Sequence, residues 1–112
     1  MDFDSEIQNG FNFIRFFGEI TGGYKTAKFR EYIQECLKAD RKTFIFNMEG
    51  VKYMNSIGLG LLISALTMVQ RAGGRLLLCH TDKIDEKLAT TRLKNVFEIY
   101  PTEAAAIEAF YK

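Results

Sequence analysis

Histidine is almost missing from this chain, with His80 its only example, and cysteine occurs twice, at Cys36 and Cys79. One imidazole and two scattered thiols do not assemble a zinc site and leave little from which to build a general base, so neither a metal nor a catalytic set is expected. His80, at the end of R-L-L-L-C, reads as a surface or strand-end residue. The cysteines have no C-x-x-C spacing and sit among aliphatic and aromatic neighbours, where reduced, buried thiols are at home. That agrees with a reducing cytoplasm, the expected location. Proline is scarce too: Pro101 stands alone, without low-complexity segments, charge blocks or repeats, so no linker divides the chain and residues 1–112 are expected to form a single domain. A basic excess is lacking, since fifteen Lys and Arg against fourteen Asp and Glu leave a formal net charge of +1; nucleic acid is not an expected partner. The longest nearly apolar run, 57–69, falls short of the roughly 20 residues that cross a bilayer, so no membrane span is expected. The opening M-D-F-D-S-E is acidic and lacks the positive and apolar regions of a signal peptide, so export is not expected.

What is present suits a packed core. Of 112 residues, 47% are hydrophobic and 26% charged, and at this size folding hides roughly two-thirds of the unfolded surface without metal or disulfide staples. A short strand over 3–7, turned back at Asn9-Gly10, is expected to form a hairpin with an aromatic strand over 11–17 that Gly18 ends. Over 24–37, Tyr24, Ala27, Phe29, Tyr32, Ile33, Cys36 and Leu37 recur mostly at helical steps between charged residues, the mark of an amphipathic helix. The runs T-F-I-F-N-M (43–48) and R-L-L-L-C (75–79) read as central strands. Between them a helix over 56–72 closes at Gly73-Gly74, an order that implies a right-handed parallel crossover. A third helix over 82–93, a last strand over 97–100 and a closing helix over 102–110 capped by Thr102 complete the reading. The expected fold is α/β: a mostly parallel sheet of four to five strands, with an N-terminal hairpin strand and about four helices.

The segment Y-M-N-S-I-G-L-G-L-L (53–62) joins a buried strand to a long helix, and open α/β sheets place their sites in such loops. Asn55 or Ser56 caps the helix, and a hydroxyl there lies beside unpaired amides and the positive end of the helix dipole, a spot that favours an anion. A phosphate on Ser56 would act as a switch; the plain reading is that Ser56 only caps. Gly58 and Gly60 let helix and sheet approach closely; with Ile63 where a third glycine would fall, they make no dinucleotide site, and no cofactor is expected. On the helix Leu59, Leu62, Ile63, Leu66 and Val69 form one apolar stripe and Leu61, Ala65 and Met68 a second. The second is either covered by another helix or partly exposed beside Ser56 as an interface. The G-x-S-x-G elbow is absent, and Asp82, Asp85 and Glu86 read as helix-start charges, so a small enzyme or ligand-binding domain is the weakest reading.

F-G-E-I-T, then F-I-F-N-M-E-G-V-K-Y-M, N-S-I-G-L-G-L-L and R-A-G-G-R-L-L-L-C together resemble the STAS domain, and within it the small single-domain anti-sigma factor antagonists. The likeness runs from about Phe11 to Phe110 and is most specific at the strand-to-helix motif D-S-[ST]-G-L-G. It implies a cytoplasmic protein that binds an anti-sigma factor, itself a serine kinase, and so frees a sigma factor; phosphorylation of the motif serine blocks binding and a serine phosphatase restores it. Matched by position, Ser56 is the implied phosphoacceptor. The implied partner contacts are Thr21 and Gly22 in the preceding loop, Asn55, Ser56, Ile57 and Gly58 at the helix start, and Leu59, Gly60, Leu61, Ser64 and Met68 along the helix. Three positions depart from the motif: Asn55 and Thr21 stand where Asp is usual, and Ile57 replaces the second hydroxyl residue. Fewer carboxylates make the docking face less acidic. The rival reading is a phosphorylation-independent STAS adaptor for a transporter ATPase or signalling scaffold. Either protein is expected as a monomer or weak homodimer.

Overall fold

The computed structural model describes residues 2–23, 25–90 and 95–112. Strands β1 (Asp2–Gln8) and β2 (Phe11–Ile20) form the antiparallel hairpin, turned at Asn9 and Gly10 with φ of 53° and 85°. Positive φ at both central positions is what a tight hairpin turn demands, and Asn-Gly supplies it at low steric cost. Helix α1 (Lys25–Lys38) then leads to β3 (Thr43–Met54), α2 (Ser56–Arg71) and β4 (Arg75–Cys79). The helix expected over 82–93 is a 3-10 turn at Asp82–Ile84 running into α3 (Asp85–Thr90); residues 91–93 of it, like Tyr24, lie outside the described residues. Strand β5 (Glu98–Tyr100) and α4 (Glu103–Phe110) follow. The sheet order is β1-β2-β3-β4-β5, with β2 through β5 mutually parallel.

Period-2 alternation sends each strand's side chains into two separate cores. Ile14, Phe16, Phe44, Phe46, Leu76 and Leu78 face α1 and α2, and Phe11, Phe13, Ile45, Leu77 and Cys79 face α4. β2, with aromatics at both parities, is thus buried on both faces over its first half. In the larger core Phe16, Phe29 and Phe46 meet edge to face, with ring centroids 5.2–5.8 Å apart. Each such ring, fully withdrawn from water, contributes on the order of 1.5–3 kcal/mol. Cys36 lies in this core and Cys79 in the other; both are free and buried, and burial pushes the Cys79 thiol up to about 12.

Two corrections concern the strands that carry the site. Gly18 does not end β2: it stands within the strand at φ 76°, beside a register shift, and pairing with β3 continues to Ile20. β3 likewise runs on to Met54, six residues beyond the expected Met48. Its partner register slips twice, between Arg15 and Phe17 and again between Gly18 and Glu19, each time with an extra residue in β3. The inward series is therefore Phe44, Phe46, Met48, Val51, Met54, stepping by two, two, three and three. These bulges bend the strand and deliver its end to the start of α2.

Candidate functional site at the start of helix α2

The end of β3 and the end of β2 are tied together where α2 begins. The Asn55 amide donates to the Ile20 carbonyl at 3.3 Å, and Asn55, in extended backbone, caps α2 by accepting from the Gly58 amide on Oδ1 at 2.9 Å. Capping therefore belongs to Asn55, and Ser56 is the first residue inside the helix, with an exposed side chain. Gly58 is needed for packing: a Cβ there would stand 2.0 Å from the Ile20 carbonyl oxygen. Gly60 differs, because a Cβ on it would meet nothing within 4 Å. Two large apolar side chains near the serine in sequence are exposed, Ile57 by 66% and Tyr53 by 51%, the tyrosine lining a cavity with Lys83, Glu86 and Lys87. Gly22, at φ 98°, lies under Ile57, whose Cγ2 would be 2.8 Å from a Cβ at that position. Thr21 is exposed in the same loop. Neither α1 nor α2 has an acidic residue in its first turn, so neither helix supplies a carboxylate to the positive end of its own dipole.

The polar chemistry of the opposite face is of another kind. Arg15 grips Glu103 with two hydrogen bonds, Nε to Oε2 at 2.9 Å and Nη2 to Oε1 at 3.0 Å, while its Nη1 donates to Glu6 at 2.8 Å. Asn47 Nδ2 adds a bond to Glu103 Oε2 at 2.9 Å. Held chiefly by Arg15, the Glu103 carboxyl lies below the usual carboxylate range. Such a closed fork is a brace between sheet and α4. His80 follows β4 with its Nδ1 3.5 Å from Glu49 Oε2, and among the described residues no group of three or more His, Cys, Asp or Glu could hold a metal ion.

The family model for the STAS domain matches residues 2–106. This chain belongs to the STAS family. No curated protein matches it in sequence. Among solved structures, the STAS chain is similar to a candidate anti-sigma factor antagonist from Thermotoga maritima, with a TM-score of 0.86 at 20% identity over 98% of this chain and 95% of that one. It is similar to the Bacillus anti-sigma factor antagonist SpoIIAA in its unphosphorylated form, with a TM-score of 0.77 at 23% identity over 98% of both chains. A sulfate transporter family protein from Wolinella succinogenes matches at 0.71 and 15% identity over 93% of this chain and 87% of that one. These likenesses carry the α/β STAS fold, as read from the sequence.

Within this STAS domain the loop ahead of α1 and the start of α2 bring Thr21, Gly22, Asn55, Ser56, Ile57 and Gly58 into one neighbourhood. Gly60, Leu61 and Ser64 line a shallow cavity of about 250 Å³ beside Ile57, together with Thr26 and Arg30 of α1. Two of the expected contact residues, Gly58 and Leu59, are buried and shape the site from beneath, and Leu61, almost wholly buried, reaches the surface only in the wall of that cavity, because this side of α2 packs on β2 and β3 and against α1. Met68 lies three turns on, roughly 18 Å along the axis, in a different cavity. The second apolar stripe is covered by α1 at Leu61 and Ala65, so the exposed apolar groups near Ser56 in sequence are Ile57 and Tyr53. Sequence reasoning singled out the segment that begins at Tyr53 without making that tyrosine a contact, and it passed over Thr26 and Arg30. The four-residue step from Thr26 to Arg30 was their only signal, and it does not say which helix flank faces the site.

Proposed function

We propose that this STAS domain is an anti-sigma factor antagonist: it binds an anti-sigma factor serine kinase through the start of α2, releases the sigma factor that kinase holds, and is switched off by phosphorylation of Ser56 and restored by a serine phosphatase. One observation carries the reading. Ser56 is exposed at the first helical position, near exposed Ile57 and Tyr53 in sequence, while Asn55 does the capping. A phosphate there adds about −1.5 to −2 charges at the positive end of the helix, worth roughly 0.3–1 kcal/mol locally, and repels an acidic or apolar partner docked over it. SpoIIAA, which shares the fold, is known in both an unphosphorylated and a phosphorylated form. The proposed protein works by binding, without a cofactor, in the cytoplasm.

A second reading, a phosphorylation-independent adaptor, is favoured by Asn55 and Thr21 in place of the usual carboxylates and by the likeness to a sulfate transporter family protein. Affinity capture from lysate of the source organism, with wild type, Ser56→Ala and Ser56→Asp as parallel baits, separates the two. The antagonist reading expects wild type and Ser56→Ala to retain an ATP-binding serine kinase and Ser56→Asp to lose it by at least tenfold. Retention of one partner by all three baits overturns gating and leaves the adaptor.

A further inference from the structure

Two cavities lie along the seam where α1 and α2 run side by side. One, beside Ile57, is lined by Thr26, Arg30 and Ser64 among others; the second, about 480 Å³, lies between Gln34, Leu37 and Lys38 of α1 and Met68 and Arg71 of α2. Thr26, Arg30, Gln34 and Lys38 repeat at every fourth residue, and Ile57, Leu61, Ser64, Met68 and Arg71 at four- and three-residue steps, so each set is one row along its helix. The two cavities thus mark the two ends of one seam, which runs roughly 18 Å from Thr26 to Lys38, the length of a three-turn helix, and is called the α1/α2 groove below.

The groove is charged with one sign. Among the residues lining the two cavities Arg30, Lys38 and Arg71 are cations and none is a carboxylate. None of the three forms an ion pair with a described residue. The nearest carboxylates of α1, Glu31 and Glu35, each stand one residue, or about 100°, farther round than Arg30 and Gln34. Lys38 and Arg71 sit in the last turns of their helices, where a cation meets the negative dipole end; Arg30, in mid-helix, has no such role. Half-buried Leu37 and Met68 supply an apolar floor at one end and exposed Ile57 an apolar contact at the other. Methionine adapts its shape to an incoming side chain.

We propose that the α1/α2 groove receives an acidic amphipathic helix of a partner protein, its apolar side on Leu37, Met68 and Ile57 and its carboxylates on Arg30, Lys38 and Arg71. A helix laid in a groove between two helices buries an apolar stripe and leaves its flanks to the charged rims. Three cations over this length, on a chain with net charge +1, suit a short acidic segment better than a polyanion. The groove begins beside Ser56, at Ile57 and Ser64 of the docking face proposed above, and at that end the inference rests on that reading; Leu37, Lys38 and Arg71 carry it away from Ser56.

The test uses the full chain, isotopically labelled, and three stapled 14-residue helical peptides with one leucine pattern and Glu, Gln or Lys at all other positions. The Glu peptide is expected to shift the amide resonances of Arg30, Ser64, Met68 and Arg71 and to bind at least tenfold more tightly than the Lys peptide. The double variant Lys38→Glu/Arg71→Glu is expected to reverse that order; both side chains are solvent-facing, and Lys38→Gln/Arg71→Gln, expected to abolish the preference, serves if the reversal unfolds the chain. Equal binding of Glu and Lys peptides, shifts confined to other surfaces, or no binding of the Glu peptide overturns the proposal. Two further arms can do the same: binding to vesicles of 30% anionic lipid without peptide binding reassigns the groove to a membrane, and peptide-insensitive dimerisation that buries these amides reassigns it to a second copy.

Discussion

Helices α2 and α4 begin alike and are finished in opposite ways. Each has an extended cap residue, Asn55 or Thr102, whose side-chain oxygen accepts the amide three residues on, from Gly58 or Ala105. The next residue makes the difference. In α4 it is Glu103, a carboxylate matched to the helix dipole and locked by Arg15 and Asn47; in α2 it is Ser56, uncharged and exposed, with Ile57 standing out beside it. One end has its charge supplied from within the molecule, and the other has no carboxylate in its first turn. Equal caps therefore leave the two helix starts electrostatically different, and on the proposed reading a phosphate on Ser56 takes up the capacity that Glu103 fills in α4.

The seat of α2 on β2 is the part whose loss costs most. Gly58→Ala is expected to lower stability by about 3 kcal/mol, since its methyl would occupy the space of the Ile20 carbonyl oxygen, whereas Gly60→Ala, two residues on, is expected to raise it by roughly 0.5–1 kcal/mol. Urea unfolding of the two variants checks this, and a Gly58→Ala protein as stable as wild type would show that α2 is not seated tightly on β2. The closed end is probed by Glu103→Gln, expected to cost about 1–2 kcal/mol. Because the folded carboxyl titrates below its ordinary 4.5, its contribution is present above that pH and is lost as pH falls through the folded value. Wild type should therefore lose its advantage over Glu103→Gln on acidification below about pH 4.5; a stability difference that stays constant down to pH 2 contradicts the brace.

The shared feature comes next in size. Asn55→Ala and Thr102→Ala should each cost about 1 kcal/mol, and Asn55→Asp, which keeps the cap and adds a charge, should gain roughly 0.3–1 kcal/mol at neutral pH. A much smaller cost at Asn55 than at Thr102 would break the parallel between the two starts. Smallest of all is Ser56→Ala, expected to change thermal stability by less than about 0.5 kcal/mol, as suits an exposed side chain that does not cap. A loss above about 1 kcal/mol would return Ser56 to a structural role.

The strand and helix order could be read from periodicity because most elements here keep one. β3 is the instructive failure: after Met48 its inward residues step by three, and with Glu49 and Lys52 exposed between them the pattern no longer looks like a strand. A bulge is a property of paired strands, and one strand's residues do not announce it. The serine motif was legible as a motif, yet whether Ser56 or Asn55 capped depended on backbone geometry that either residue could adopt. The fork of Arg15 and Glu103 joins positions 88 apart, and the groove between α1 and α2 depends on which flank of each helix meets the other. Both arise from tertiary placement, and single-chain periodicity is silent about it.

The two buried thiols make the sheet's faces separately readable. Cys36 is on the buried side of α1 and Cys79 on the β4 face that α4 covers, with the sheet between the sulfurs, so neither can reach the other or the solvent while the molecule is closed. The rise of the Cys79 thiol to about 12 also withholds the reactive thiolate from any reagent that merely approaches the surface. With a reagent fast enough to outpace reclosing, alkylation thus runs at the rate at which a face opens, and the two cysteines become two clocks in one chain. Equal labelling rates would mean that the layers come apart in one cooperative event, and a faster clock at Cys79 would identify α4 as a cover that lifts alone.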